Sequence, residues 1–379
     1  MSGCPHFDLT DPDTYHGGQP RETYKYLRQE QPVYWHEDPV QGVGFWVITR
    51  QADLDFVSKN PLLFSSRERS CLPMEPDEET LPLMQTQMIN MDPPQHLKYR
   101  RLVRTAFTPK AVDSYHDRFK EVAKDIVDRA IVGGRCEFVE DVSAELPLIA
   151  ICELMGVPLD KRKRLYELTN IMLGMDDPEL STTREDGTNA MIEMFMLAME
   201  VAQAHKEQPQ NDIVNVLLTG TVEDEPLTEE EFCNFLLMLM VAGNETTTNL
   251  LGITFVQLRD RPEVEARVRA DNALIPKLIE EVLRYDTPVQ ILFRHTLKDA
   301  ELAGVKIPEG SLVLPLLGSG NRDETQFDTP DQFNIDRKPG MTMSAPASAW
   351  ATNPWISRVS ATSISSQRRR TQRRMSTAA

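Results

Sequence analysis

The chain has 379 residues, 40% of them hydrophobic and 26% charged, the balance of a folded globular protein and not of a disordered one. Its 58 acidic against 41 basic side chains leave a formal net charge of −17, which repels phosphate backbones and argues against nucleic-acid binding. The longest nearly apolar run, Phe235 to Ala242, falls far short of the roughly 20 residues that a membrane-spanning helix needs. The N-terminal residues show neither the basic start nor the apolar core of a secretory signal. Five cysteines, at positions 4, 71, 136, 152 and 233, include no CxxC pair, so a disulfide scaffold is not expected. These features read as a soluble, cytoplasmic protein without a membrane span.

The charge is uneven. Residues 341–379 hold no Asp or Glu and six arginines, leaving 35 basic against 58 acidic side chains, a net of −23, in residues 1–340. That tail is rich in Ser, Thr and Ala and has no sustained apolar period, so it reads as a disordered segment attached to one domain spanning 1–340.

Taken in chain order, the pattern predicts a helix over Pro20–Gln29, then a hairpin. Its strands are Val33–His36 and Phe45–Thr49, aromatic and β-branched runs on either side of a Pro/Gly loop. From about Gln95 to Leu274 the apolar spacing is helical. Ala144–Met155 is closed by Gly156 and Pro158, and Leu227–Leu258 is opened by Thr228 with three acids behind it, a good helix N-terminus. A helix over Ala273–Tyr285 stops at Asp286-Thr287-Pro288. Short strands follow at Ile291–Thr296, Glu301–Ile307 and Leu312–Leu317. The expected class is mainly α with a small β-region.

Four constellations stand out. Ala242-Gly243-Asn244-Glu245-Thr246-Thr247-Thr248 interrupts an oily helix; an interior Gly costs about 1 kcal/mol and a threonine run is also disfavoured. A solvated turn would explain it. A local helix break lined with a carboxylate and a hydroxyl that relay protons fits the apolar flanks better. Glu281 and Arg284 share a helix face at i, i+3, as a surface ion pair would. His96 and Arg100, after Pro93-Pro94, share another face at i, i+4; this is either a basic helix surface or an anion clamp. Last, Asn321-Arg322-Asp323 leads through Phe327, Pro330 and Phe333 to Arg337 in a turn-rich stretch.

In this order and spacing, with Arg294 in the strand between the second and fourth, the motifs resemble the soluble bacterial type of the cytochrome P-450 family over about residues 10–338. The resemblance implies a mostly helical haem protein that inserts one O₂-derived oxygen into an organic substrate. It implies that Glu245 and Thr246 are the acid–threonine pair that delivers protons. Ala242 and Gly243 would be the small residues beside the haem, and His96, Arg100 and Arg294 its propionate partners. Glu281, Arg284 and Arg337 would form a buried ion network. A ferredoxin-type electron donor and its reductase are the implied partners. The substrate class suggested is an apolar small molecule: a sterol, a terpenoid or a branched lipid. Met172, Met175, Met191, Met194 and Met196 lie in the region that roofs the family's pocket, where core packing would explain them equally well.

The family holds its iron through a cysteine thiolate, in a Phe-x-x-Gly-x-x-x-Cys-x-Gly loop shortly after the position of Arg337. No Cys follows Gly340, and the nearest upstream is Cys233. His295 is a conceivable substitute, beside the propionate-type Arg294. The chain therefore reads as truncated or frame-shifted after about residue 340, or else as a genuine variant. In the shifted frame, the codons of 341–351 permit Asp-Asp-His-Val-Gly-x-Gly-x-Gly-x-Gly, close to the approach to that loop. The expectation is poor haem retention, low stability and impaired oxygenation. A non-catalytic fold that binds an apolar ligand or a partner, and a non-folding product, are the alternatives.

Overall fold

The computed structural model describes residues 8–15, 18–38, 42–71, 78, 80–104, 107–174, 183–210 and 212–337. Met175 and the tail beyond Arg337 lie outside them. The helices in chain order are α1 (Arg21–Glu30), α2 (Gln51–Lys59), α3 (Leu81–Gln85), α4 (Gln95–Val103), α5 (Pro109–Ser114), α6 (His116–Val132), α7 (Glu145–Leu154) and α8 (Arg162–Leu173). They continue with α9 (Arg184–Glu207), α10 (Ile213–Thr219), α11 (Glu229–Arg259), α12 (Pro262–Ala270), α13 (Ile275–Tyr285) and α14 (Leu317–Gly320). The strands are β1 (Val33–His36), β2 (Phe45–Ile48), β3 (Phe64–Ser65), β4 (Thr221–Val222), β5 (Glu225–Pro226), β6 (Arg294–Thr296), β7 (Ala300–Leu302), β8 (Val305–Ile307) and β9 (Leu312–Pro315). Contacts group them into two compact units. One comprises the described residues up to 85, 89–93 and from 277 onward; the other comprises 86–88 and 94–276.

The first unit is built on a five-stranded sheet of order β1-β2-β9-β6-β3, parallel only between β2 and β9. Successive side chains of a strand point to opposite faces, and both faces here are covered. Val33, Ile48 and Val313 pack with Leu54, Val57 and Phe64 on one side. Phe45, Val47 and Leu314 pack with Tyr24 and Phe293 on the other. The expected strand over Glu301–Ile307 is instead a hairpin of β7 and β8, because Ala303 and Gly304 both take positive φ, 49° and 79°, and reverse the chain. The expected strand Ile291–Thr296 pairs continuously only from Arg294, with a lone bridge from Ile291 to Leu316.

The second unit is helical, apart from the small β4–β5 hairpin. On α6 and α7, Phe119, Val122, Ala123, Ile126, Leu146 and Ala150 form one apolar cluster at 3.6-residue spacing. Gly156, at φ +60°, ends the α7 region, with the His205 ring filling the space a side chain would need. The 31-residue α11 opens on a reciprocal box in which the Thr228 hydroxyl accepts from Glu231 N–H and the Glu231 carboxylate accepts from Thr228 N–H. Its first half, including Phe232, Phe235, Leu236, Leu237 and Met240, is buried on nearly every side. The helix runs unbroken through Ala242–Thr248, so the expected break is absent. The Thr246 hydroxyl donates to Ala242 O at 2.8 Å, which satisfies it within the helix. No helix among the described residues is long and apolar enough to cross a membrane.

Candidate functional site

In the second unit, α11 and α4 carry the residues singled out from sequence. Tyr99 O–H donates to Glu231, the same carboxylate that caps α11. Lys98 pairs with Glu223 at 2.6 Å. These contacts orient α4, on which His96 and Arg100 follow one another at a one-turn spacing, Arg100 on the exposed side. A side-chain carbon at Gly243 would meet Ile151 Cδ1 at 2.7 Å, so its small size also serves the packing of α11 on α7.

Glu245 is partly buried; its Oε1 accepts from Asn244 Nδ2 at 3.1 Å and lies 3.5 Å from Thr169 Oγ1 of α8, at the limit of a hydrogen bond. Burial outweighs these contacts and holds the carboxyl above the usual carboxylate range. Asn244 entered the sequence reasoning only as part of its motif, and Thr169 not at all. The signal for Thr169 was legible: it follows Leu165 and Leu168 on the buried stripe of α8, where a hydroxyl is out of place. The raised Glu245 has a consequence for stability. Between the unfolded value of about 4.3 and its raised folded value, the native carboxyl holds more proton than the unfolded one. Stability therefore falls as the pH rises toward the raised folded value, because the native state binds more protons. Glu245→Gln is expected to gain stability over the wild type at pH 8 and to lose that advantage toward pH 4. Urea midpoints measured across this range check it.

In the first unit, Glu281, Arg284 and Arg337 meet. Arg284 Nε and Nη2 each donate to a Glu281 oxygen at 2.8 Å, and Arg337 Nε donates to Glu281 Oε1 at 3.3 Å. Arg284 also donates to the carbonyls of Asn321, Pro330 and Gln332 at 2.9, 3.0 and 3.3 Å. Arg337 donates to those of Asp328, Thr329 and Gln332. The surface-pair reading of Glu281 and Arg284 therefore does not hold: both side chains are at most 2% exposed. Nearby, Arg322 bridges Asp331 at 2.8 Å and lies 4.0 Å over the Tyr285 ring.

Arg294 sits at the start of β6, with burial lowering its proton affinity. The guanidinium hydrogen bond it makes among the described residues goes to its own neighbour, Phe293 O, at 2.6 Å. His295, the next residue, points to the opposite face of the strand. It is buried, its Nε2 has no partner among the described residues, and burial together with Arg69 pushes its pKa down to about 4.

A family model described as cytochrome P450 matches residues 131–337. Steroid C26-monooxygenase of Rhodococcus jostii is 36% identical over 341 residues, covering 88% of this chain and 71% of that protein. The chain belongs to the cytochrome P450 family. Linalool 8-monooxygenase of Pseudomonas putida is 32% identical over 337 residues, 87% of this chain and 83% of that protein. Among solved structures, a Mycobacterium marinum cytochrome P450 in complex with pseudoionone aligns with a TM-score of 0.84 at 28% identity, covering 97% of this chain and 92% of that one.

The family cofactor is haem. The P450 residues present suit it in part. Arg294, a partly buried guanidinium whose hydrogen bond goes to a carbonyl and not to a carboxylate, suits an anionic propionate. The axial position is a different matter. Burial raises the thiols of Cys71, Cys152 and Cys233, to about 11, 12 and 11 respectively, the reverse of what a thiolate ligand needs. Cys136 is exposed, and His295 faces away from the side that Arg294 serves. The described residues thus include no side chain suited to bind the iron as the family does.

Proposed function

We propose that this P450 comes from a lineage of haem-thiolate monooxygenases acting on apolar substrates of the sterol, terpenoid or branched-lipid class, and that the 379-residue chain is impaired in oxygenation. The observation that carries the proposal is the donor set: α11 presents a partly buried acid–threonine pair, while the described residues offer no thiolate donor. The monooxygenase relatives with steroid and linalool in their names support the substrate class. So do the apolar side chains Leu173, Ile192 and Met196, which α8 and α9 leave 53%, 53% and 63% exposed; Met194 is fully buried and belongs to the core.

When bound through a thiolate, haem supplies the family's oxygen-activating chemistry. The chain's own contribution is proton handling. Burial disfavours the charged form of Glu245 and so favours a carboxyl that can take up and release a proton at its oxygens. Thr246 Oγ1, one residue on, can accept and pass a proton by turning away from Ala242 O. Ala242 keeps this stretch small. On α4, Arg100, with His96 one turn before it, offers donors suited to a carboxylate; on β6, Arg294 by itself does the same. Glu281, Arg284 and Arg337 brace the polypeptide. Electrons come from a ferredoxin-type donor and its reductase, and the protein acts in the cytoplasm. Residues 1–340 carry the P450 sequence, and a shifted reading frame near Gly340, or a genuine variant, leaves 341–379 without the ligand-loop cysteine.

The test is the carbon monoxide difference spectrum of the purified, haem-supplemented and reduced chain. No strongly red-shifted Soret band is expected; its appearance would show that a cysteine reaches the iron and overturn the proposed impairment. Sequencing the gene across codon 340 tests the origin of the tail. A second reading, a non-catalytic P450 fold that binds an apolar ligand, is favoured if a sterol or monoterpenol raises the melting temperature of the haem-free chain.

A further inference from the structure

Glu245 lies in a closed polar cluster with two side chains of fixed position. Thr169 and Asn244 are both fully buried. Asn244 Nδ2 donates to Glu245 Oε1 at 3.1 Å and to Thr169 Oγ1 at 3.4 Å, so one amide joins α11 to α8. The Thr169 hydroxyl has a single proton and two acceptors in range: Tyr166 O of its own helix at 2.9 Å and Glu245 Oε1 at 3.5 Å. The nearer acceptor takes it. In that state the carboxyl has one full donor, the Asn244 amide, while Asn244 Oδ1 stays buried without a partner among the described residues. The network is complete for neither charge state of the acid.

Two features single out this cluster as more than packing. No charged side chain among the described residues acts on Glu245. The charges on the neighbouring elements are engaged elsewhere or exposed. On α7, Glu145 pairs with Arg129 and Arg162, and Glu153 pairs with Arg118. On α8, Arg164 pairs with Glu167 and with Glu193 of α9, while Lys163 is exposed; on α9, Glu200 pairs with Lys161. With no cation to stabilise the ionised carboxyl, neutral donors must do so, and a hydroxyl that rotates between a carbonyl and a carboxylate is such a donor.

We propose that Thr169 and Asn244 are positioning residues of the proton-carrying site, that they clamp the Glu245 carboxyl to α8, and that the Thr169 hydroxyl turns from Tyr166 O to Glu245 when the acid ionises. This rests on the reading of Glu245 as a proton carrier. It ties the acid to α8, so a displacement of that helix withdraws the donor and favours the protonated form. Thr169→Val removes the donor and keeps the shape, whereas Thr169→Ser keeps the donor.

The experiment is an infrared pH titration of the protonated-carboxyl band of the full chain, with the Glu245 band identified by its loss in Glu245→Gln. A hydrogen bond to a charged group exceeds a neutral one by about 1 kcal/mol, so Thr169→Val, which loses the first in the ionised state and the second in the neutral state, is expected to raise the midpoint by about one pH unit. Thr169→Ser restores the wild-type midpoint, and Asn244→Leu moves it upward as well. Unchanged midpoints in Thr169→Val and Asn244→Leu, with far-ultraviolet circular dichroism and melting temperature preserved, would overturn the clamp and leave the proton-carrier reading intact. A wild-type chain with no titrating band that Glu245→Gln removes would overturn the proton-carrier reading, and the clamp with it.

Discussion

Glu281→Ala is expected to destabilise the folded chain by about 3–5 kcal/mol, because it strands a buried guanidinium without its carboxylate. The Arg284 side chain is fully buried and binds Glu281 through two parallel N–H···O contacts, a fork that a lysine cannot reproduce. Glu281 Oε1 also accepts from the Asn334 backbone N–H at 2.7 Å and from Arg337, so three donors lose an acceptor together. Arg284→Ala is expected to cost at least as much. It leaves Glu281 buried with less compensation and releases the carbonyls of Asn321, Pro330 and Gln332, which hold an irregular stretch in place without regular secondary structure. Urea unfolding of both variants measures the loss. A cost below about 1 kcal/mol, the level of an exposed pair, would show that the network does not brace this unit.

The second large effect is expected at Asp212. Its Oδ1 caps α10 by accepting from Asn215 N–H at 3.0 Å, while its Oδ2 lies 2.8 Å from His205 Nε2. The other ring nitrogen of His205 meets Val201 O at 2.8 Å, and the side chain is 1% exposed. Asp212→Ala removes a helix cap, worth about 1 kcal/mol, and leaves a buried ring nitrogen without a partner, at about 1–3 kcal/mol. A combined loss of about 2–4 kcal/mol is expected in urea unfolding. Asp212→Asn keeps a good cap residue and is expected to lose about half as much. Equal losses for the two substitutions would show that the charge at Asp212, and not the cap, carries the effect.

Where the determinants are local, the sequence was legible. The Thr228–Glu231 box, the stop at Gly156 and the hairpin of β1 and β2 all follow from residue types a few positions apart. The hairpin hidden in Glu301–Ile307 was missed because Ala303, a poor signal for positive φ, shares the turn with Gly304. The helix break expected at Gly243 is absent. A threonine hydroxyl can close its hydrogen bond inside the helix, and the packing of α11 against its neighbours outweighs an unfavourable propensity of about 1 kcal/mol.

By itself, the sequence determined that this is a mainly helical member of the P450 family with an acid–threonine pair and no cysteine after Gly340. Those properties reside in motif order and composition, which need no coordinates. Only the tertiary structure decided which backbone groups complete the Glu281–Arg284–Arg337 network, that Arg294 and His295 face opposite ways, and that Thr169, 76 positions before Glu245, is its neighbour. Whether a charge is dry, and what satisfies it there, depends on segments distant in sequence that converge only when the chain is folded.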